Sequence, residues 1–149
     1  MAILNIIKEP DETLRKRSKD VTEFNPRLHQ LLDDMRETML AAPGVGIAAV
    51  QVGVLYRACL VETKDGIVEL VNPVIVSASP ETKDDEEGCL SVADRRGTVS
   101  RPQHVTVSAR DRNGMHFTRE FSGREAVCAC HELDHLDGVL FIDKLVGAK

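Results

Sequence analysis

The feature that most restricts how this chain can fold is one helix whose two ends are both written into the sequence. Ser122 is followed three residues later by Glu125, a capping-box spacing in which each side chain answers an orphan N–H of the first turn. Helical character runs on to Leu136, and Asp137-Gly138 closes it. Inside stands His131-Glu132-Leu133-Asp134-His135. This spacing puts two imidazoles one turn apart on the same face, where they can share a cation, and Glu132 falls beside them. A metal ion needs neutral nitrogen donors to hold it and a nearby carboxylate to take the proton from its water, so the pattern points to metal-assisted hydrolysis.

A hydrolytic metal site takes three protein ligands and keeps one position open, so a third donor is required. The downstream chain supplies none. One group of zinc proteases extends the motif with Gly and a third His, and here Gly138 is in place but Phe141 stands at the ligand position. Another group takes a later Glu, and no Glu follows Glu132. Cys128 shares the face of the histidines but sits about 10 Å along the axis from His135. Cys130 points about 100° away around the helix. Cys59 lies in the apolar run Ala58–Val61 and reads as a buried, inert thiol. Cys89 remains, in Glu86-Glu87-Gly88-Cys89-Leu90-Ser91, where Gly88 lets the backbone approach a ligand closely. One thiolate with two imidazoles suits zinc and also ferrous iron.

The chain around this helix has 149 residues, 42% of them apolar, and reads as one soluble globular domain over 1–149. With 19 Lys+Arg against 24 Asp+Glu, its net charge of −5 argues against a protein built to grip phosphate backbones, so no direct nucleic-acid binding is expected. The longest apolar stretch, Gly44 to Leu55, falls short of the ~20 residues a membrane span needs. Met1 to Lys8 resembles neither a secretory nor a transit segment, so the fold is expected to start there. The four Cys, at 59, 89, 128 and 130, read as reduced thiols rather than a disulfide framework.

Pro10 to Arg17 is expected to form a short charged helix. Asn25-Pro26 supplies a cap and a first-turn proline for a longer one, with Leu28, Leu31, Leu32, Met35 and Met39 on its inward stripe and Pro43-Gly44 as its stop. Arg57–Val61, Ile67–Val71 and Val74–Ser77 are short β-rich runs that look antiparallel. Thr82–Glu87 reads as a solvated acidic connector. Val105 and Val107 alternate with polar neighbours, and Asn113-Gly114 then signals a hairpin into Met115–Phe121. The fold class is α+β: antiparallel β-sheets around a central metal-binding helix, with a longer N-terminal helix.

Three segments together resemble the peptide deformylases: Gly44-Val45-Gly46-Ile47-Ala48-Ala49-Val50-Gln51, Glu87-Gly88-Cys89-Leu90-Ser91, and His131 to His135 with Leu136-Asp137-Gly138 after it. Their order and separation match too, and the resemblance extends from the Pro10 segment through Lys144. It implies a metallohydrolase that removes the formyl group from the initiator formylmethionine of new polypeptides and releases formate. Cys89, His131 and His135 would hold one Fe²⁺, replaceable by Zn²⁺, Ni²⁺ or Co²⁺. Glu132 would be the general acid/base, while the Gln51 side-chain amide and the Leu90 backbone N–H would face the developing oxyanion. Gly46 and the stretch Glu87, Gly88 and Cys89 would line a substrate added as a strand. Val45, Val127, Cys128 and His131 would border a pocket for the methionine side chain. Arg96 would steady the substrate backbone, and Glu87 would pair with Arg101, unless both are plain surface charges. The implied setting is the cytoplasm, or an organelle after loss of an import segment. The implied partners are nascent formylmethionyl peptides near the ribosome, met by a monomer or weak homodimer with no membrane contact.

The chain departs from the family at Val50, Ala93 and Cys130, none of which removes a catalytic group. Arg124 and Glu125 stand where relatives often carry apolar residues near the pocket mouth, and many bacterial relatives carry a further C-terminal helix. Two other readings stay open at this level. One is a metallopeptidase using the same helix; the other is a structural metal module closed by Cys89, Cys128, Cys130 and His131.

Overall fold

Two helices with opposite partners organise the core. In the computed structural model, which describes residues 2–146, helix α1 spans Pro26–Ala41. Its cap is the expected one: the Asn25 Oδ1 accepts the Leu28 N–H at 3.1 Å, and Pro26 occupies the first turn, where its missing N–H costs nothing. Leu28, Leu32, Met35 and Met39 are buried. Beyond the end of α1, at the expected stop, the Gly44 N–H bonds back to the Met39 carbonyl. Met1 and residues 147–149, the two ends of the domain expected over 1–149, lie outside the described residues.

Strands β1 (Gly46–Ala48), β2 (Ala58–Thr63) and β3 (Gly66–Ala78) join β6 (His104–Arg110) and β7 (His116–Ser122) in a five-stranded antiparallel sheet of order β1-β2-β3-β6-β7. Alternation along β2 explains the layering. Cys59 and Val61 face helix α2 (Arg124–Leu136), where they meet Ala126, Ala129, Leu133 and Leu136. Ala58 and Leu60 face the other way, into the stripe of α1. Both faces of β2 are thus covered, and the run is apolar without interruption.

Four expectations need correction. The charged helix near Pro10 is only a 3₁₀ turn over Glu12–Arg15. The runs Ile67–Val71 and Val74–Ser77 belong to one strand, β3, interrupted by irregular register after Val71. Asn72 there takes a positive φ of 51°, and its side-chain amide bonds both the N–H and the C=O of Val21 in place of the lost ladder. The capping box at Ser122 does not form. Ser122 ends β7, Gly123 at φ 60° is the cap residue, and the Glu125 carboxylate accepts the Lys64 N–H at 2.8 Å instead.

The largest correction concerns Thr82–Glu87. These residues belong to strand β4 (Thr82–Cys89), which pairs with β5 (Val92–Pro102) as a separate two-stranded sheet. An acidic run has poor strand propensity, but arginines answer its charges here: Arg124 meets Asp85, Arg96 meets Glu86, and Arg101 meets Glu87. Pairing and tertiary charge neutralisation override local preference. The inner side of this hairpin packs Val92 and Val99 on Leu14, Leu140 and Phe141. The Asn113-Gly114 hairpin forms as expected between β6 and β7, its turn held by the Asp111 carboxylate on the N–H groups of Asn113 and Met115.

Candidate active site

Helix α2 and the tip of the β4–β5 hairpin converge on one another. Cys89 and Val92 pair across the tip, so Cys89 sits where the chain reverses. Its Sγ lies 3.3 Å from the His135 Nε2, and one ligand atom from each of Cys89, His131 and His135 falls within 4.8 Å of the others. A sulphur and two imidazole nitrogens at this spacing form a donor set that a divalent ion can bridge. One buried polar atom fits the same reading: the Glu132 Oε1 has no hydrogen-bond partner among the described residues.

The electrostatics separate the two histidines. Burial pushes His135 down to about 3, so its ring is neutral and free to donate a lone pair. Burial works in the same direction on His131, but the Cys89 sulphur and the Glu87 carboxylate outweigh it and raise that ring to about 10. Surroundings that favour a proton on His131 also favour a cation in its place. The Glu87 carboxylate accepts the His131 Nδ1–H at 3.0 Å, which leaves the other ring nitrogen as the donor atom. Burial raises Glu132 to about 7, where a carboxyl group can both accept and release a proton.

A cleft of about 790 Å³ opens beside these groups. Val45, Gly46, Gln51, Glu87, Gly88, Cys89, Leu90, Arg96, Val127, Cys128, His131 and Glu132 all line it. His135 does not; it is buried behind Cys89. Gly46 has no room for a side chain, because a Cβ there would stand 2.6 Å from the Glu132 carboxylate and 2.7 Å from the Cys128 sulphur. The Cys128 thiol donates to the Val45 carbonyl at 3.2 Å, a bond that fixes it as cleft wall. Burial raises the thiols of Cys59, Cys128 and Cys130, which suits packing rather than ligation.

Some residues do more, or other, than their sequence position indicates. Gln51 is buried in a 3₁₀ turn at Ala49–Val52; its side-chain Oε1 accepts the Ala48 N–H at 2.9 Å, and its side-chain Nε2 donates to the Ser91 Oγ at 3.1 Å. It therefore ties the turn to the hairpin tip. Arg96, 60% exposed in its side chain, pairs with Glu86 at 2.9 Å. Glu87 and Arg101 are not surface charges: they form a buried two-point pair, with Arg101 also bonded to Asp134 at 2.7 Å. Phe141, which blocks the extended-motif ligand position, stacks on His131 with ring centroids 6.1 Å apart. The sequence carries no signal for Ser91, or for Asp134 as the partner of Arg101, since both partnerships join segments far apart in the chain.

Comparison with known proteins places this geometry. Residues 3–149 match the family model described as polypeptide deformylase. A peptide deformylase from Caldicellulosiruptor bescii is 51% identical over 146 residues, covering 98% of this chain and 87% of the relative. The crystal structure of peptide deformylase from Thermotoga maritima superposes with a TM-score of 0.95 at 37% identity, covering 97% of this chain and 99% of that one. A peptide deformylase structure from Legionella pneumophila superposes with a TM-score of 0.93 at 44% identity, covering 98% and 88%.

Proposed function

The chain belongs to the polypeptide deformylase family, which removes the N-formyl group from the initiator formylmethionine of newly made polypeptides, and we propose which of its groups carry that reaction. It is a metal-dependent amide hydrolase acting in N-terminal processing of proteins. The observation that carries the residue assignment is the convergence of the Cys89, His131 and His135 donor atoms within 4.8 Å, on a cleft that Glu132 also lines.

Cys89, His131 and His135 hold one divalent ion, Fe²⁺ in the cell, with Zn²⁺, Ni²⁺ or Co²⁺ able to substitute. When bound, the ion supplies Lewis acidity and makes water a better nucleophile near neutral pH. The water oxygen bonds to the formyl carbon, the C–N bond breaks, and formate leaves with a free amino terminus on the peptide. Glu132 accepts the proton of the attacking water and hands it to the departing amine. The Gln51 amide and the Leu90 N–H face the oxygen on which negative charge develops. Gly46, Glu87 and Gly88 run beside the substrate backbone, which Arg96 steadies, and Val45, Val127 and Cys128 receive the methionine side chain. Helix α2 is then the central metal-binding element of a single domain over 1–149.

No described helix is long and apolar enough to cross a membrane. We place the enzyme in the bacterial cytoplasm, as a monomer or weak homodimer meeting nascent chains near the ribosome without gripping nucleic acid. Neither alternative use of the helix is favoured: Phe141 packs on His131, and Cys128 is bonded to Val45.

The test is to purify the protein without oxygen, measure bound metal, and assay formate release from a formylmethionyl peptide. Release that scales with metal content is expected. Full metal occupancy without formate would overturn the assignment.

A further inference from the structure

Arg101 is 3% exposed and takes no part in lining the cleft, yet every arm of its guanidinium is committed to the groups behind it. Its Nε and Nη2 bond the two oxygens of Glu87 at 2.9 and 3.1 Å, and its Nη1 bonds the Asp134 carboxylate at 2.7 Å. Glu87 is itself 5% exposed and accepts the His131 Nδ1–H. Asp134 is held from the outer side by the Lys144 ammonium at 3.2 Å. A continuous chain therefore runs Lys144, Asp134, Arg101, Glu87, His131. Along this chain two carboxylates alternate with two cations, and the last link ends on the His131 ring.

A buried ion pair is weak evidence for stability, because stripping water from both ions offsets most of their attraction. What such a network supplies well is geometry. The planar fork of arginine fits a carboxylate at two points and admits one orientation. Glu87 lies on β4, Arg101 on β5 and Asp134 on α2, so this one guanidinium locks the hairpin that carries Cys89 to the helix that carries both histidines. His135 has no such tether, since its Nδ1 finds no partner among the described residues.

We infer that Arg101 is a positioning residue: by gripping Glu87 and Asp134 together, it holds the Glu87 carboxylate on the His131 Nδ1–H and sets the separation of Cys89 from the two histidines. The inference rests on the reading of Cys89, His131 and His135 as metal ligands. Its consequence is metal affinity and ligand geometry that depend on a side chain touching neither metal nor substrate.

The experiment compares the parent chain with Arg101→Gln, Arg101→Lys and Asp134→Asn. Arg112→Gln serves as control, because Arg112 is similarly networked, to Glu69 and Asp33, and lies outside the site. Each protein is loaded with Zn²⁺ and its dissociation constant measured by chelator competition. The Co²⁺-loaded form gives an absorption spectrum, and melting temperatures are recorded alongside. Arg101→Gln should weaken Zn²⁺ binding by about tenfold or more and alter the Co²⁺ spectrum. Arg101→Lys, which keeps the charge but loses the fork, should fall between. Arg112→Gln should lower the melting temperature and leave affinity and spectrum alone. Should Arg101→Gln fail to fold, Asp134→Asn decides, with a smaller loss in the same direction expected. Parental affinity and spectrum in the folded variants would overturn the inference while leaving the deformylase reading intact. A parent chain that takes up no Zn²⁺ would overturn both.

Discussion

Helix α2 and the β4–β5 hairpin face each other across the same cleft, and they reach it by opposite physics. In α2 the functional spacing is local: His131, Glu132 and His135 are presented together by a periodicity that any helix would impose. In the hairpin nothing local suffices. Cys89 reaches the histidines only because an acidic strand pairs with β5, three arginines neutralise it, and Val92 and Val99 seat it on Leu14, Leu140 and Phe141. The lesson is that a composite site has a half that secondary structure builds and a half that tertiary contacts must hold in place.

Three substitutions probe that division. The greatest effect should come from the hairpin side, at Cys89→Ala. Without the sulphur, two imidazoles alone should release the metal on desalting, and the affinity loss should exceed the ~100-fold that removing an outer-sphere partner causes. Retention of one metal per chain would mean that another group completes the site. On the helix side, Glu132→Ala should keep its metal and lose turnover by at least ~10²-fold, the lower end of what a positioned proton-transfer group contributes. Parallel measurements of bound metal and formate release separate the two: metal and rate fall together in one case, rate alone in the other.

The smallest effect should come from the exposed link between the two regions, Arg124 to Asp85 at 2.8 Å. The hydrogen bond from Arg124 holds the Asp85 carboxyl below its ordinary value of 3.8. A carboxyl depressed in the folded state contributes stability above its unfolded value and loses it as pH falls through the folded one. Arg124→Ala should therefore melt only slightly earlier than the parent at neutral pH and low salt, with the difference shrinking in salt and vanishing as pH drops below that range. A large change at neutral pH would show that the hairpin leans on this pair, and the contrast drawn above would weaken.

The two regions also differ in how far they can be read from the chain. The cap at Asn25, the stripe on α1 and the Asn113-Gly114 turn are legible because each depends on neighbours within a few residues. The capping box at Ser122 misleads for a reason of the same kind. The pattern is present, but β7 extends through Ser122, and the Glu125 carboxylate finds the Lys64 N–H across the fold. Strand β4 is illegible because Thr82–Glu87 carries the composition of a solvated loop, and its arginine partners lie at positions 96, 101 and 124. Elimination among the four cysteines nonetheless isolates Cys89, since helix geometry and apolar context dispose of the other three.

By itself, then, the order of residues determined the helix and its close at Asp137-Gly138, set a pair of imidazoles one turn apart on it, and singled out one sulphur as the candidate to join them. These follow from rise, periodicity and composition, which act over a few residues. Only the folded structure decided that Glu87 and Arg101 are buried partners rather than surface charges, that Asp134 anchors them, and that Gln51 ties its turn to Ser91. Those contacts join positions 14 to 40 residues apart, and their geometry exists once the sheets have paired and water has been excluded between them.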